Sequence, residues 1–106
     1  MAKKQRKTKI QADWDGEKVT ALTRAFLSMN DSREMKAFLR DLLTESEIVE
    51  FANRFYAARA IAHSHHYAAI EEETGLSSRT IARVKQWYKH GKGGYKLAIK
   101  RYKKQL

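Results

Sequence analysis

The sequence has no cysteine, no proline and only five glycines in 106 residues. Without cysteine, disulfide frameworks and thiolate metal sites are excluded. Without proline, and with glycine scarce, little punctuates the strands and hairpins of a β-fold. Ala, Leu, Ile, Lys, Arg and Glu are plentiful instead, and they favour helix. No apolar run reaches the length of a membrane span, and the basic N-terminus lacks the hydrophobic segment of a secretory signal. The expectation is a soluble, cytoplasmic, all-α protein of one domain, small enough that a dimer interface would help its core.

Acid is missing from both ends. Residues 1–12 hold Lys3, Lys4, Arg6, Lys7 and Lys9 with no Asp or Glu, and residues 74–106 hold ten Lys/Arg, again with none. All twelve acids fall within 13–73, against seven Lys/Arg, so the net charge of +10 comes from two basic segments framing an acidic middle. That distribution points to a scaffold with a polyanion-facing surface. A solvated lysine face with a disordered tail would give the same counts. An anionic membrane surface fits less well, because the basic segments lack an apolar face with anchoring aromatics. Residues 1–12 read as a basic flexible arm, too polar to pack, and 13–106 as the helical domain.

Along that domain, Val19, Leu22, Ala25, Phe26 and Met29 recur at helical spacing from about Asp15. Asn30-Asp31-Ser32 breaks the run, and Asp31 or Ser32 can cap a second helix carrying Met35, Phe38, Leu39 and Leu42. Thr44-Glu45-Ser46-Glu47 is a capping box. It predicts the longest helix, near 45–63, with Ile48, Phe51, Ala52, Phe55, Ala58, Ile61 and Ala62 as its buried stripe. Ala57, Ala58, Ala60 and Ala62 would let another helix approach closely. His90-Gly91-Lys92-Gly93-Gly94 stops a later helix, with the glycines read as punctuation. A last helix, roughly 95–105, places Tyr95, Leu97, Ala98, Ile99, Tyr102 and Leu106 among lysines. About six helices result. Their apolar stripes exceed what one small monomer can cover, which predicts a homodimer, interlocked through the N-terminal helices.

Residues 67–87 carry the functional signal. They read as two short helices joined at Gly75, a helix-turn-helix whose second helix opens the acid-free segment. Ile70, Leu76, Ile81 and Val84 occupy the positions that lock one helix across the other, and Gly75 supplies a left-handed turn. Ser77 or Ser78 can cap the second helix, where free backbone N–H groups favour phosphate. Its outward set includes Ser78, Arg79, Ala82, Arg83 and Gln86. Arginine reads guanine bidentately and glutamine reads adenine, so these are the expected base readers. Thr80, Lys85 and Lys89 join them in the DNA-binding set, the lysines as phosphate contacts that position without selecting sequence. Two residues depart from the usual pattern: Glu71 stands where a small residue is common, and Glu73 where an apolar one is.

Other constellations argue against chemistry. His63-Ser64-His65-His66 lacks the separation that helical metal ligands need, and imidazoles at a helix C-terminus are favoured by the helix dipole alone. Consecutive Glu71, Glu72 and Glu73 point in different directions on a helix. No nucleophile sits beside a base and no phosphate-binding glycine loop is present, so neither an enzyme, nor a metal, nor a cofactor is expected.

The order Leu42-Leu43-Thr44-Glu45-Ser46-Glu47-Ile48, a long helix through Arg54, then the helix-turn-helix, resembles the Trp repressor superfamily over roughly residues 14–105. The segment Arg83-Val84-Lys85-Gln86-Trp87-Tyr88-Lys89-His90-Gly91-Lys92-Gly93-Gly94-Tyr95 looks closer to its YerC/YecD-type branch than to Trp repressor itself. The resemblance implies a six-helix subunit, an intertwined homodimer and operator binding through paired recognition helices. It also implies a degenerate effector pocket. Thr44, Arg54 and Arg83 fall on positions similar to the pocket threonine and the two arginines that sandwich the indole in the family's namesake. Val84 stands where the namesake has a glycine, and Trp87 where it has a serine. The added isopropyl and indole should close such a pocket by volume, so L-tryptophan is not expected as corepressor, while another small effector stays open.

The resulting expectation is a homodimeric, sequence-specific, nucleoid-associated regulator of transcription, a repressor, bound to double-stranded DNA. The alternatives are a non-specific or architectural nucleic-acid-binding protein and a helical adaptor with a solvated basic face.

Overall fold

The computed structural model describes residues 10–103, so residues 1–9 of the expected basic arm lie outside the described residues. The described residues form six helices and no strand: α1 Glu17–Leu27, α2 Ser32–Leu42, α3 Glu45–Ala62, α4 Tyr67–Thr74, α5 Ser78–His90 and α6 Gly94–Tyr102. No helix among them is long and apolar enough to cross a membrane. The chain divides into two compact units, Met1–Leu42 and Leu43–Leu106.

In the first unit, α2 starts where the sequence places a cap. The Asp31 carboxylate accepts the Glu34 N–H at 2.9 Å, and Glu34 Oε1 accepts the Asn30 N–H at 2.8 Å. Two otherwise orphaned donors are satisfied reciprocally. Phe26 meets Phe38 edge-on at 5.3 Å between ring centroids. Yet neither α1 nor α2 buries a single residue, and Leu27 is 79% exposed.

The second unit holds the core. Thr44 caps α3 as its sequence predicts: its hydroxyl accepts the Glu47 N–H at 3.1 Å while Glu47 Oε1 accepts the Thr44 N–H at 2.9 Å. Thr44→Ala should lower stability by about 1 kcal/mol, read as a lower urea midpoint at unchanged m-value. Against α3 pack α4, α5 and α6. They do so where its side chains are smallest: Ala57, Ala58 and Ala60 are fully buried. Ile70 of α4 and Ile81 and Val84 of α5 complete the buried cluster.

The expected α3 stripe needs correction at its first turns. Phe51 and Ala52 are exposed, whereas Ile48, Phe55, Ile61 and Ala62 are half-buried. Ala57, Ala58 and Ala60 form the buried segment because close helix approach requires small side chains, and these alanines lie in the C-terminal half. In α6, Tyr95 and Ile99, one turn apart, pack on the core, and the left-handed Lys103 follows its last residue, Tyr102; residues 104–106, with Leu106 of the expected helix, lie outside the described residues.

Candidate nucleic-acid interface

The turn between α4 and α5 sets the geometry of the basic face. Gly75 adopts φ 74°, and its N–H donates to the Glu71 carbonyl at 2.8 Å. Only glycine takes this left-handed region without a steric penalty. Thr74 stitches the turn from its other side, donating its hydroxyl to the Ile70 carbonyl at 2.7 Å and accepting the Leu76 N–H at 3.1 Å. Leu76 is half-buried against the core. Of the two candidate caps, Ser77 is the one used: its Oγ accepts the Thr80 N–H at 3.1 Å, which leaves Ser78 as the first residue of α5.

At about 100° per residue, Arg79, Arg83 and Gln86 share one face of α5, and Ile81, Val84 and Tyr88 the opposite one. Burial follows this division. Ser78, Arg79, Ala82, Arg83, Gln86 and Lys89 are exposed, Ser77 likewise; Thr80 and Lys85 are half-buried, and Ile81 and Val84 are buried. The five expected base readers therefore stand on one solvent-facing surface, held by an apolar underside.

On one flank of α5, Arg54, Thr80, Arg83, Val84, Trp87 and Tyr95 line a cavity of about 80 Å³. Four of the five expected pocket residues thus come together. Thr44 does not line it, and its hydroxyl serves the α3 cap. Arg54 is tied to Glu50 at 2.6 Å, and its guanidinium lies 5.9 Å from the Phe51 ring centroid. Val84 is 4% exposed and Trp87 57% exposed, so the isopropyl group rather than the indole occupies interior space. Tyr95 escaped the sequence reading as a site residue, because its place beside Arg54 depends on the α5–α6 bend. Burial pushes the Tyr95 hydroxyl above its ordinary pKa, with the nearby Arg54 charge working against the rise.

Gly91 at that bend is more than punctuation. Its N–H donates to the Trp87 carbonyl at 2.9 Å, and a Cβ on it would collide with that oxygen and with the Trp87 ring. Of the histidine run, His63 Nδ1 lies 2.8 Å from the Arg59 carbonyl, and no group of three or more metal-ligating side chains occurs among the described residues.

A family model described as Trp repressor protein matches residues 17–103. The uncharacterised protein YerC of Bacillus subtilis is 38% identical over 88 residues, spanning 83% of this chain and 85% of YerC. The crystal structure of a TrpR-like protein from Eubacterium eligens superposes with a TM-score of 0.84 at 31% identity, covering 88% of this chain and 96% of that one. A second solved structure, from Staphylococcus aureus, gives a TM-score of 0.79 at 30% identity, covering 87% and 95%.

Proposed function

The chain belongs to the Trp repressor family of DNA-binding regulators, and from that premise we propose that it is a homodimeric, sequence-specific transcriptional repressor that does not respond to L-tryptophan. The observation that carries the DNA-reading part is the face of α5. Arg79, Arg83 and Gln86 stand together and exposed while Ile81 and Val84 pin the helix from below. With the first turn of α5 in a major groove, Arg79 would meet a base edge first, with Ser78, Ala82, Arg83 and Gln86 beside it. Lys85 and Lys89 flank this face as phosphate contacts.

The dimer is supported by unspent apolar surface. Neither α1 nor α2 buries a residue, and Val49 and Phe51 of α3 are 58% and 49% exposed. A second copy is the partner of matching symmetry for a helix-turn-helix operator. Selection of bound sequences from random DNA with the full chain, together with its solution mass, tests the proposal. The expected result is a palindrome with half-sites one helical turn apart and a mass of two chains. An enriched pool with no common sequence, or a single-chain mass, sinks it.

Insensitivity to tryptophan rests on volume. The space beside Arg54, Arg83 and Val84 is about 80 Å³, against roughly 300–1,000 Å³ for pockets that hold small molecules. Titrating L-tryptophan into the protein in a calorimeter should give only heats of dilution, and duplex affinity should not change. Micromolar binding overturns this part of the proposal.

A further inference from the structure

On the flank of α5 away from Arg54, a second recess of about 370 Å³ opens between α5 and the α3–α4 turn. Lys85 and Lys89, one helical turn apart, rim it; Ser64 and His65 of the turn face them, and Tyr67 and Tyr88 form walls. None of its lining side chains is acidic. The Lys85 ammonium lies 5.7 Å from the Tyr67 ring centroid, an attraction that restrains an otherwise flexible cation. Lys96 stands at the same distance from the Tyr88 ring and adds a third cation to this side of the fold.

The turn itself is built at a cost. The Ser64 N–H donates to the Ile61 carbonyl at 3.0 Å and the His65 N–H to the Ala60 carbonyl at 2.9 Å, the paired bonds of a Schellman helix end. The left-handed position of that motif favours glycine, yet Ser64 occupies it at φ 66°. A serine there spends stability and places a hydroxyl in the lining of the recess.

We propose that this recess is a phosphate-binding site in which Lys85 and Lys89 share one phosphate group with the Ser64 hydroxyl and the His65 ring. The phosphate comes from the duplex backbone beside the groove occupied by α5, or from a free phosphomonoester. In the first case the α3–α4 turn, which the recognition-helix reading leaves unused, becomes a second docking element. That case rests on the DNA-binding reading; the phosphate site does not.

Two measurements on the full chain test it. The first follows backbone amide resonances as orthophosphate is added, and then adenosine monophosphate. Shifts should concentrate at Ser64, His65, Lys85 and Lys89. The second follows duplex affinity against salt for the wild-type chain, K85Q/K89Q and Ser64→Gly. Each phosphate neutralised contributes about 0.9 to the slope of log K against log salt, so two lysines sharing one phosphate should lower it by about 0.9. Ser64→Gly leaves the charge unchanged. It should raise the thermal midpoint by relieving backbone strain, yet weaken duplex binding roughly threefold to tenfold for one lost hydrogen bond. A purely structural Ser64 would gain stability and lose no affinity.

Local shifts with an unchanged slope in K85Q/K89Q support the site and assign its phosphate to a free phosphomonoester. Local shifts in a chain that binds no duplex support the site and refute the DNA reading instead. The proposal is overturned if neither anion shifts these four residues, or if the slope falls by about twice 0.9, the mark of two independent solvated lysines.

Discussion

Ile81→Ala should cost about 2–5 kcal/mol, a loss that only Ile70→Ala should match among single truncations of the helix-turn-helix. Ile70 and Ile81 are the largest fully buried side chains among the described residues, and the rest of the buried cluster consists of three alanines and Val84. A core this small has few long side chains able to relax into a void, so the cavity term persists. Unfolding in urea provides the check, with the midpoint falling and the m-value holding. Ile81→Val should lose only about 0.5–1.5 kcal/mol, and exposed Gln86→Ala should stay within about 0.5 kcal/mol. A loss near that of Gln86→Ala would show that Ile81 does not pin α5. On the proposed reading the same substitution should also weaken duplex binding, because Ile81 is buried beneath the exposed face of α5 that carries Arg79, Arg83 and Gln86.

Arg79→Ala should weaken binding to the selected operator roughly 5- to 150-fold, the equivalent of about 1–3 kcal/mol for a lost bidentate contact with guanine. Affinity for unrelated duplexes should change little, since one phosphate-independent side chain adds little to non-specific attraction. Competition binding at fixed salt, with operator and scrambled duplexes, separates the two. Equal weakening on every sequence would refute the base-reader assignment and favour a non-specific nucleic-acid-binding protein. Lys89→Gln supplies the contrasting pattern: a uniform loss across sequences with a shallower salt dependence. Arg83 is less clean as a probe because it stands on the proposed reading face and also lines the cavity with Arg54 and Tyr95.

Much of the fold was legible because its signals are local. The capping box at Thr44 and Glu47, the Asp31 cap, the Gly75 turn and the Ser77 cap each involve residues within four positions of one another. Their hydrogen bonds form wherever the chain adopts the local conformation, so sequence order finds them, down to a choice between neighbours at Asp31 or Ser32 and at Ser77 or Ser78. The lock of Ile70, Ile81 and Val84 was equally readable, since helical periodicity fixes which side chains share a face. Periodicity does not say how far along a helix its partners reach. Phe51 was therefore assigned to a buried stripe that the packing of α4–α6 does not cover.

Sequence alone thus determined six helices, the helix-turn-helix at 67–87 and the exposed set of Arg79, Arg83 and Gln86 on α5. Tertiary structure decided what meets across the chain. Tyr95 comes beside Arg54, Val84 rather than Trp87 takes interior space, and Ser64 and His65 come to face Lys85 and Lys89. These pairs lie from about twenty to forty residues apart. Their approach depends on the angles at the Gly75 and Gly91 bends and on the alanine surface of α3, quantities that arise only when the helices pack.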